Sequence, residues 1–217
     1  MPPNNPEPII NPLEFLEDGR AQGLFAKIDQ ALKDGYHIQN RTAWTEHWRF
    51  LDEHKNSINE YYQAYFGVKL SYAGSGGDRY YYLEFFPGTR GEIKSTHYQH
   101  LEAESVVVAF LLYKVVFIDK NITLSSVAEF KRILRSDYET LKPDIIRTLA
   151  KVKYGKPTKT SDETINSAVD RTLKDFEKLG WVERNDDDFE VLPAFQRILT
   201  IYSDIINNVD DWFKDSK

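Results

Sequence analysis

The chain has no cysteine, which removes disulfides and thiolate metal sites and points to a reducing compartment. It also has no apolar run fit to cross a bilayer. The one extended stretch, Val106 to Ile118, is interrupted by Lys114 and is too short. The N-terminus, Met1-Pro2-Pro3-Asn4-Asn5-Pro6-Glu7-Pro8, carries neither the basic region nor the apolar core of a signal peptide. Residues 1–20 therefore read as a largely disordered or extended lead, and a cytoplasmic protein with no membrane partner is expected.

Catalytic patterns are missing as well. No Ser/His/Asp set or carboxylate pair stands out, so no enzyme, catalytic residue, metal or cofactor is expected. Three motifs come nearest. His97-Tyr98-Gln99-His100 lies near Glu102 and Glu104, but a metal site needs three or four converging ligands, so surface histidines at a helix start are expected. Gly74-Ser75-Gly76-Gly77 joins a strand to a strand rather than a strand to a helix N-terminus, and reads as a hairpin tip, not a phosphate cradle. Asp186-Asp187-Asp188 lacks the spaced ligands and glycine of a calcium loop and reads as a solvated turn.

What is present is a soluble, globular composition. The 217 residues are 41% hydrophobic and 29% charged, enough for a real core in one large or two small domains. The net charge of −6 argues against an indiscriminate coat for nucleic acid, yet the charge is segregated. Lys131, Arg132, Arg135, Lys142, Arg147, Lys151, Lys153, Lys156 and Lys159 face only Asp137, Glu139 and Asp144 over that stretch, a local excess of +6. From Ser161 onward, fourteen acidic residues meet seven basic ones. A solvated helix face and loop account for the basic stretch as well as a phosphate-contacting patch does.

The clearest structural signal runs from Ser161 to Phe195. Apolar residues at Ile165, Val169, Leu173, Phe176 and Leu179 keep helical spacing, Ser161 or Asp162 can cap the start, and Gly180 suits a left-handed stop. A short hairpin follows at once, turning at Asp186-Asp187-Asp188. Helix and hairpin together are the signature half of a winged-helix domain. Earlier in the chain a helix over Leu24 to Leu32 stops near Gly35, and one long helix is expected from about Thr42 to Phe66. Its inward candidates are Trp44, Trp48, Leu51, Ile58, Tyr61, Tyr62 and Tyr65. A hairpin pairs Val68–Tyr72 with Tyr80–Phe86. Helices over about 100–118, 124–134 and 141–152, and a final amphipathic helix through Ile198 and Ile206, complete the reading. The fold class is mainly α with small β-hairpins (α+β), as tandem winged-helix domains: residues 21–95, and residues 96–217 with the final helix.

Two surfaces follow. Arg171 and Lys174, interleaved with Asp170, Asp175 and Glu177 on the second recognition-type helix, suit backbone contacts better than base reading. They join Lys131, Arg132, Arg135, Lys151, Lys153, Lys156 and Lys159 as candidate contacts to double-stranded DNA without sequence preference. In the first half, strand alternation puts Tyr80 and Tyr82 on one face and Tyr81, Leu83 and Phe85 on the other. Both faces are partly apolar, so Tyr61, Tyr65, Tyr80, Tyr82 and Phe85 are candidates for a protein interface.

The segment Leu24-Phe25-Ala26-Lys27-Ile28-Asp29-Gln30-Ala31-Leu32-Lys33-Asp34-Gly35-Tyr36-His37-Ile38 resembles the opening of the MukE family, the accessory subunit of MukBEF-type bacterial condensin. Tyr61-Tyr62-Gln63-Ala64-Tyr65-Phe66-Gly67-Val68-Lys69-Leu70 with Tyr81-Tyr82-Leu83 fits the next block, and Val169 to Val182 fits the second helix and wing. The order and spacing of these blocks carry the resemblance, over roughly Asn11 to Asn208. Length and the lack of a long acidic tail look more like the MksE branch or the related Wadjet subunit. The resemblance implies tandem winged-helix domains, a homodimer, a clasped kleisin (MukF-like), and an SMC ATPase (MukB-like) reached through it. It also implies a nucleoid-associated role in chromosome organisation, segregation or plasmid restriction. The alternative is a free-standing winged-helix transcription regulator.

Overall fold

A computed structural model describes residues 10–84, 91–93, 101–154, 162–206, 208–209 and 211–212, leaving aside the side chains of 153 and 154. The chain is mainly helical with two small antiparallel sheets, and divides into two compact units, Met1–Tyr98 and Gln99–Lys217.

The first unit runs α1 (Ala21–Lys33), β1 (Ile38–Gln39), α2 (Thr45–Glu53), α3 (Lys55–Phe66), β2 (Lys69–Ala73) and β3 (Tyr80–Glu84). Ile28 and Leu32 of α1, Leu51 of α2, Ile58 and Tyr62 of α3, and Tyr81 and Leu83 of β3 close on one another with Phe15 as the core. Burial of that apolar surface is the main drive for the unit. At the end of α3 the amides of Gly67 and Val68 donate to the carbonyls of Gln63 and Tyr62, with Gly67 left-handed at φ 65°. That closure satisfies the last carbonyls and turns the chain straight into β2.

Three features depart from the sequence reading. The expected helix over 42–66 is two helices, broken at His54 (φ −107°, ψ 15°). There the imidazole reaches Asp18 at 2.9 Å and the Ser57 hydroxyl donates to the His54 carbonyl at 3.1 Å, so tertiary and local side-chain bonds override a continuous period. Tyr65, expected inward, is 53% exposed as a consequence of the second helix's own phase. And the lead is packed from within: Phe15, on a short 3-10 turn over Glu14–Glu17, is fully buried against Phe25 and Tyr61. The two-residue β1 escaped notice because so short a strand has no period to show; it pairs Ile38 with Tyr81 and Gln39 with Tyr80.

The second unit runs α4 (Ala103–Tyr113), α5 (Val127–Arg132), α6 (Lys142–Tyr154), α7 (Asp162–Lys178), β4 (Val182–Asn185), β5 (Asp188–Val191) and α8 (Arg197–Ile206). Both α4 and α5 end in a π turn, Lys114–Ile118 and Ile133–Asp137. The buried face of α7, Ile165, Ala168, Val169, Thr172, Leu173 and Phe176, is the one its spacing foretold. Its end also turns on a left-handed glycine, Gly180 at φ 67°, with the Trp181 amide donating to the Phe176 carbonyl at 2.8 Å.

The units share an order of elements. In the first, β1 follows the opening helix and pairs with the last strand, giving the sheet order β1-β3-β2. In the second, Ser126 sits in the same place and bridges Asp188 of β5, flanked by hydrogen bonds from the Val127 amide to the Asp187 carbonyl (2.8 Å) and from the Phe189 amide to the Ser125 carbonyl (2.6 Å). The second unit adds one helix, α6, between the paired helices.

Candidate nucleic-acid and partner surfaces

Of the basic residues singled out by sequence, three are already matched by acids within the second unit. The Lys131 ammonium lies 2.6 Å from Asp170, the carboxylate one turn along α7 from Lys174. Arg132 is clamped from both sides, by Glu129 at 2.8 Å and Asp137 at 2.9 Å. Donating to Glu129 first, then to Asp137, holds the guanidinium more firmly protonated than usual, and accepting from Arg132 pulls the Glu129 carboxyl down. Arg171 reaches across to Glu104 of α4 at 2.7 Å. Such exposed pairs contribute little to stability, but they leave less charge free for a phosphate.

The other basic residues differ. Lys151 and Lys174 are exposed and meet no carboxylate among the described residues; Arg135 donates only to the Lys131 carbonyl, at 3.2 Å. Lys153 falls in the last turn of α6, while Lys156 and Lys159 lie outside the described residues. For Lys131 and Arg171 sequence spacing gave no means of finding the match, because the acids come from α7 and α4; the Glu129–Arg132 pair is three residues apart on α5. The acidic hairpin tip is not simply solvated: Ser126 donates its hydroxyl to Asp187 at 2.9 Å while accepting the Glu129 amide as the cap of α5.

The aromatic residues of the first unit separate in the same way. Tyr61 is half-buried at the centre of a ring cluster with Phe15, Phe25, Tyr62, Tyr65 and Phe66. Tyr80 is only 4% exposed, so its ring offers little surface to a partner; Tyr82 is intermediate, and Phe85 lies outside the described residues. Tyr72, not among the interface candidates read from the sequence, is 54% exposed.

Two polar clusters were invisible in the sequence because their members are distant in it. Asp18 accepts from Arg20 at 2.6 Å and from His54 at 2.9 Å, while Arg20 also reaches Glu53 at 2.5 Å. The Arg20 side chain and amide, followed by His54, hold the Asp18 carboxyl well below the usual carboxylate range. Asp18, Glu53 and His54 have the donor types for a cation, but the Arg20 guanidinium already occupies the space between the two carboxylates. A cleft of about 350 Å³ opens beside them, lined by Arg20, Leu24, Glu46 and Arg49. In the second cluster Asp52 accepts from Arg79 at 2.7 Å and from the Tyr81 hydroxyl. Partial burial works against the Asp52 charge, and the two donors more than offset it.

The family model for condensin complex protein MksE matches residues 23–202, spanning elements of both units. The chain belongs to the MksE family. No curated protein matches it. As a member of a condensin-complex family, the chain is set among proteins whose work is assembly. The MksE match begins within α1 and includes every basic and aromatic candidate named above.

Proposed function

We propose that this MksE-family chain is a non-enzymatic accessory subunit of a bacterial SMC condensin-like complex. Each unit is a winged-helix domain. The chain forms a homodimer, binds a kleisin subunit through apolar surface that includes Tyr61 and Tyr65, and reaches the SMC ATPase through that kleisin. It works in the cytoplasm at the nucleoid, supporting DNA organisation in chromosome segregation or plasmid restriction. The observation that carries the reading is the family match across residues 23–202.

The DNA-facing part of the proposal is supported by the unmatched cations Arg135, Lys151 and Lys174, with Lys153, Lys156 and Lys159 next to them in sequence. They would contact phosphates without reading bases, and binding would fall steeply with salt as counterions are released. Purification of the tagged chain from its native cells, with mass spectrometry of what accompanies it, tests the whole. A kleisin and a long coiled-coil ATPase are expected. A partnerless homodimer protecting one DNA sequence overturns the reading. Joint reversal of Lys153, Lys156 and Lys159 to glutamate is expected to abolish duplex binding; retained binding removes that loop from the contact.

A further inference from the structure

The cleft of about 350 Å³ in the first unit draws Arg20 and Leu24 from the start of α1, and Glu46 and Arg49 from α2. Its two guanidinium groups differ. Arg20 is fixed from one side: Nε donates to both Asp18 oxygens at 3.1 Å, and Nη2 donates to Asp18 at 2.6 Å and Glu53 at 2.5 Å. No hydrogen bond among the described residues uses its Nη1, so a guanidinium already held in place keeps donors to spare. Arg49 is exposed and makes no ion pair or hydrogen bond among the described residues. Glu46, three residues earlier on α2, lines the same cleft, yet no ion pair joins the two.

Charge decides what fits. A guanidinium presents its N–H groups as a fork that matches the two oxygens of a carboxylate. Arg20 already matches Asp18 and Glu53, so Arg49 is the cation left over. A duplex backbone carries a repeating charge, which Asp18, Glu46 and Glu53 at and beside the cleft repel. A single carboxylate meets the guanidinium with no second charge to place. Exposure decides the source. Small-molecule sites bury most of their ligand, whereas Arg20, Glu46 and Arg49 are exposed and only Leu24 is half-buried. A free acid would remain largely in water here, while a side chain delivered by a protein surface brings neighbours that cover the site.

We propose that this cleft takes an acidic side chain of a partner protein, its carboxylate held by Arg49 with Arg20 beside it, and an adjoining apolar side chain against Leu24. This rests on the reading of the chain as a partner-binding subunit and names one anchor of that contact.

The test uses the full chain, isotope-labelled for NMR, and an N-acetylated, C-amidated short peptide of leucine, glutamate, leucine and alanine. Saturable shifts of the Arg20 and Arg49 side-chain N–H signals are expected at millimolar peptide. The counterpart with glutamine for glutamate should bind about tenfold more weakly, as should the original peptide to Arg49→Gln. Glu46→Gln removes a competing carboxylate and should tighten binding about twofold. Equal binding of the two peptides, no shift at millimolar peptide, or weaker binding by Glu46→Gln each overturns the proposal. A random duplex that displaces the peptide and binds these arginines more tightly overturns it in favour of phosphate. In native cells, Arg49→Glu should lower the recovery of partners about tenfold while circular dichroism stays unchanged. Wild-type recovery by that variant overturns the protein source, and peptide binding lost in Arg49→Gln then marks a free carboxylic acid as the ligand. Condensin partners recovered without peptide binding overturn the cleft alone and leave the subunit role standing. Peptide binding without condensin partners upholds the acidic anchor while the subunit role falls.

Discussion

Lys131 and Lys174 carry the same formal charge on helices that pack together, but only Lys131 has an acid at its ammonium, Asp170 at 2.6 Å. A phosphate arriving at Lys131 must displace that carboxylate. Asp170→Asn is therefore expected to strengthen binding of a random duplex and steepen its salt dependence by about 0.9 in the log–log slope, one more neutralised phosphate. Lys174→Ala is expected to weaken binding and flatten the slope by a similar amount; fluorescence anisotropy across a salt series reads both. At Asp18 the donors Arg20 and His54 act on stability instead. Its folded carboxyl titrates below the ordinary value of 3.8, so its contribution is present above that pH and is lost as the pH falls through the folded value. Asp18→Asn should lower the melting temperature near neutrality and change it little in strong acid, where the wild-type carboxyl is also neutral.

At the scale of elements, the short 3-10 turn that carries Phe15 is part of the first unit's core rather than a tether to it. Phe15→Ala is expected to cost about 3–5 kcal/mol in urea unfolding, the range for emptying a buried aromatic site. The cap of α5 is also the anchor of the β4–β5 turn, through Ser126. Ser126→Ala should cost about 1 kcal/mol and speed amide exchange at Val127 and Phe189 together. How far these elements were legible depended on the kind of force that set them. The α7 helix, its glycine stop and the hairpin after it were plain, because periodicity and turn chemistry are written locally. The break at His54 was not, since it depends on Asp18, thirty-six positions earlier. The π turns were equally hidden, as one extra residue in a single turn is too short a departure to show as a change of period.

For the molecule as a whole, composition excluded disulfide chemistry and the block order pointed to a family, while the surface could not be read. Tyr61, Tyr65, Tyr80 and Tyr82 looked alike in sequence, and folding made Tyr80 core and Tyr65 surface. The basic excess of +6 over 131–159 likewise overstated the free charge, because Lys131, Arg132 and Lys142 meet Asp170, Glu129 and Asp162, acids outside that stretch. With a net charge of −6, the duplex binding proposed above would rest on a few unmatched cations against a repelling background. Changing Arg135, Lys151 and Lys174 together to glutamate is expected to abolish it while circular dichroism stays unchanged.

The π turn at the end of α4 bears on how such a gene tolerates the loss of a codon. Its closing bond runs from the Asp119 amide to the Lys114 carbonyl at 2.9 Å, five residues back, and the Lys114 ammonium reaches the Asp119 carboxylate at 3.2 Å over the same interval. Removing one residue between Val115 and Phe117 would shorten that interval to four, the spacing at which an ordinary α-helix makes the same backbone bond and sets the same two side chains one above the other. An in-frame deletion there would be absorbed by the ladder, where a deletion within α7 would turn half of its buried face to water.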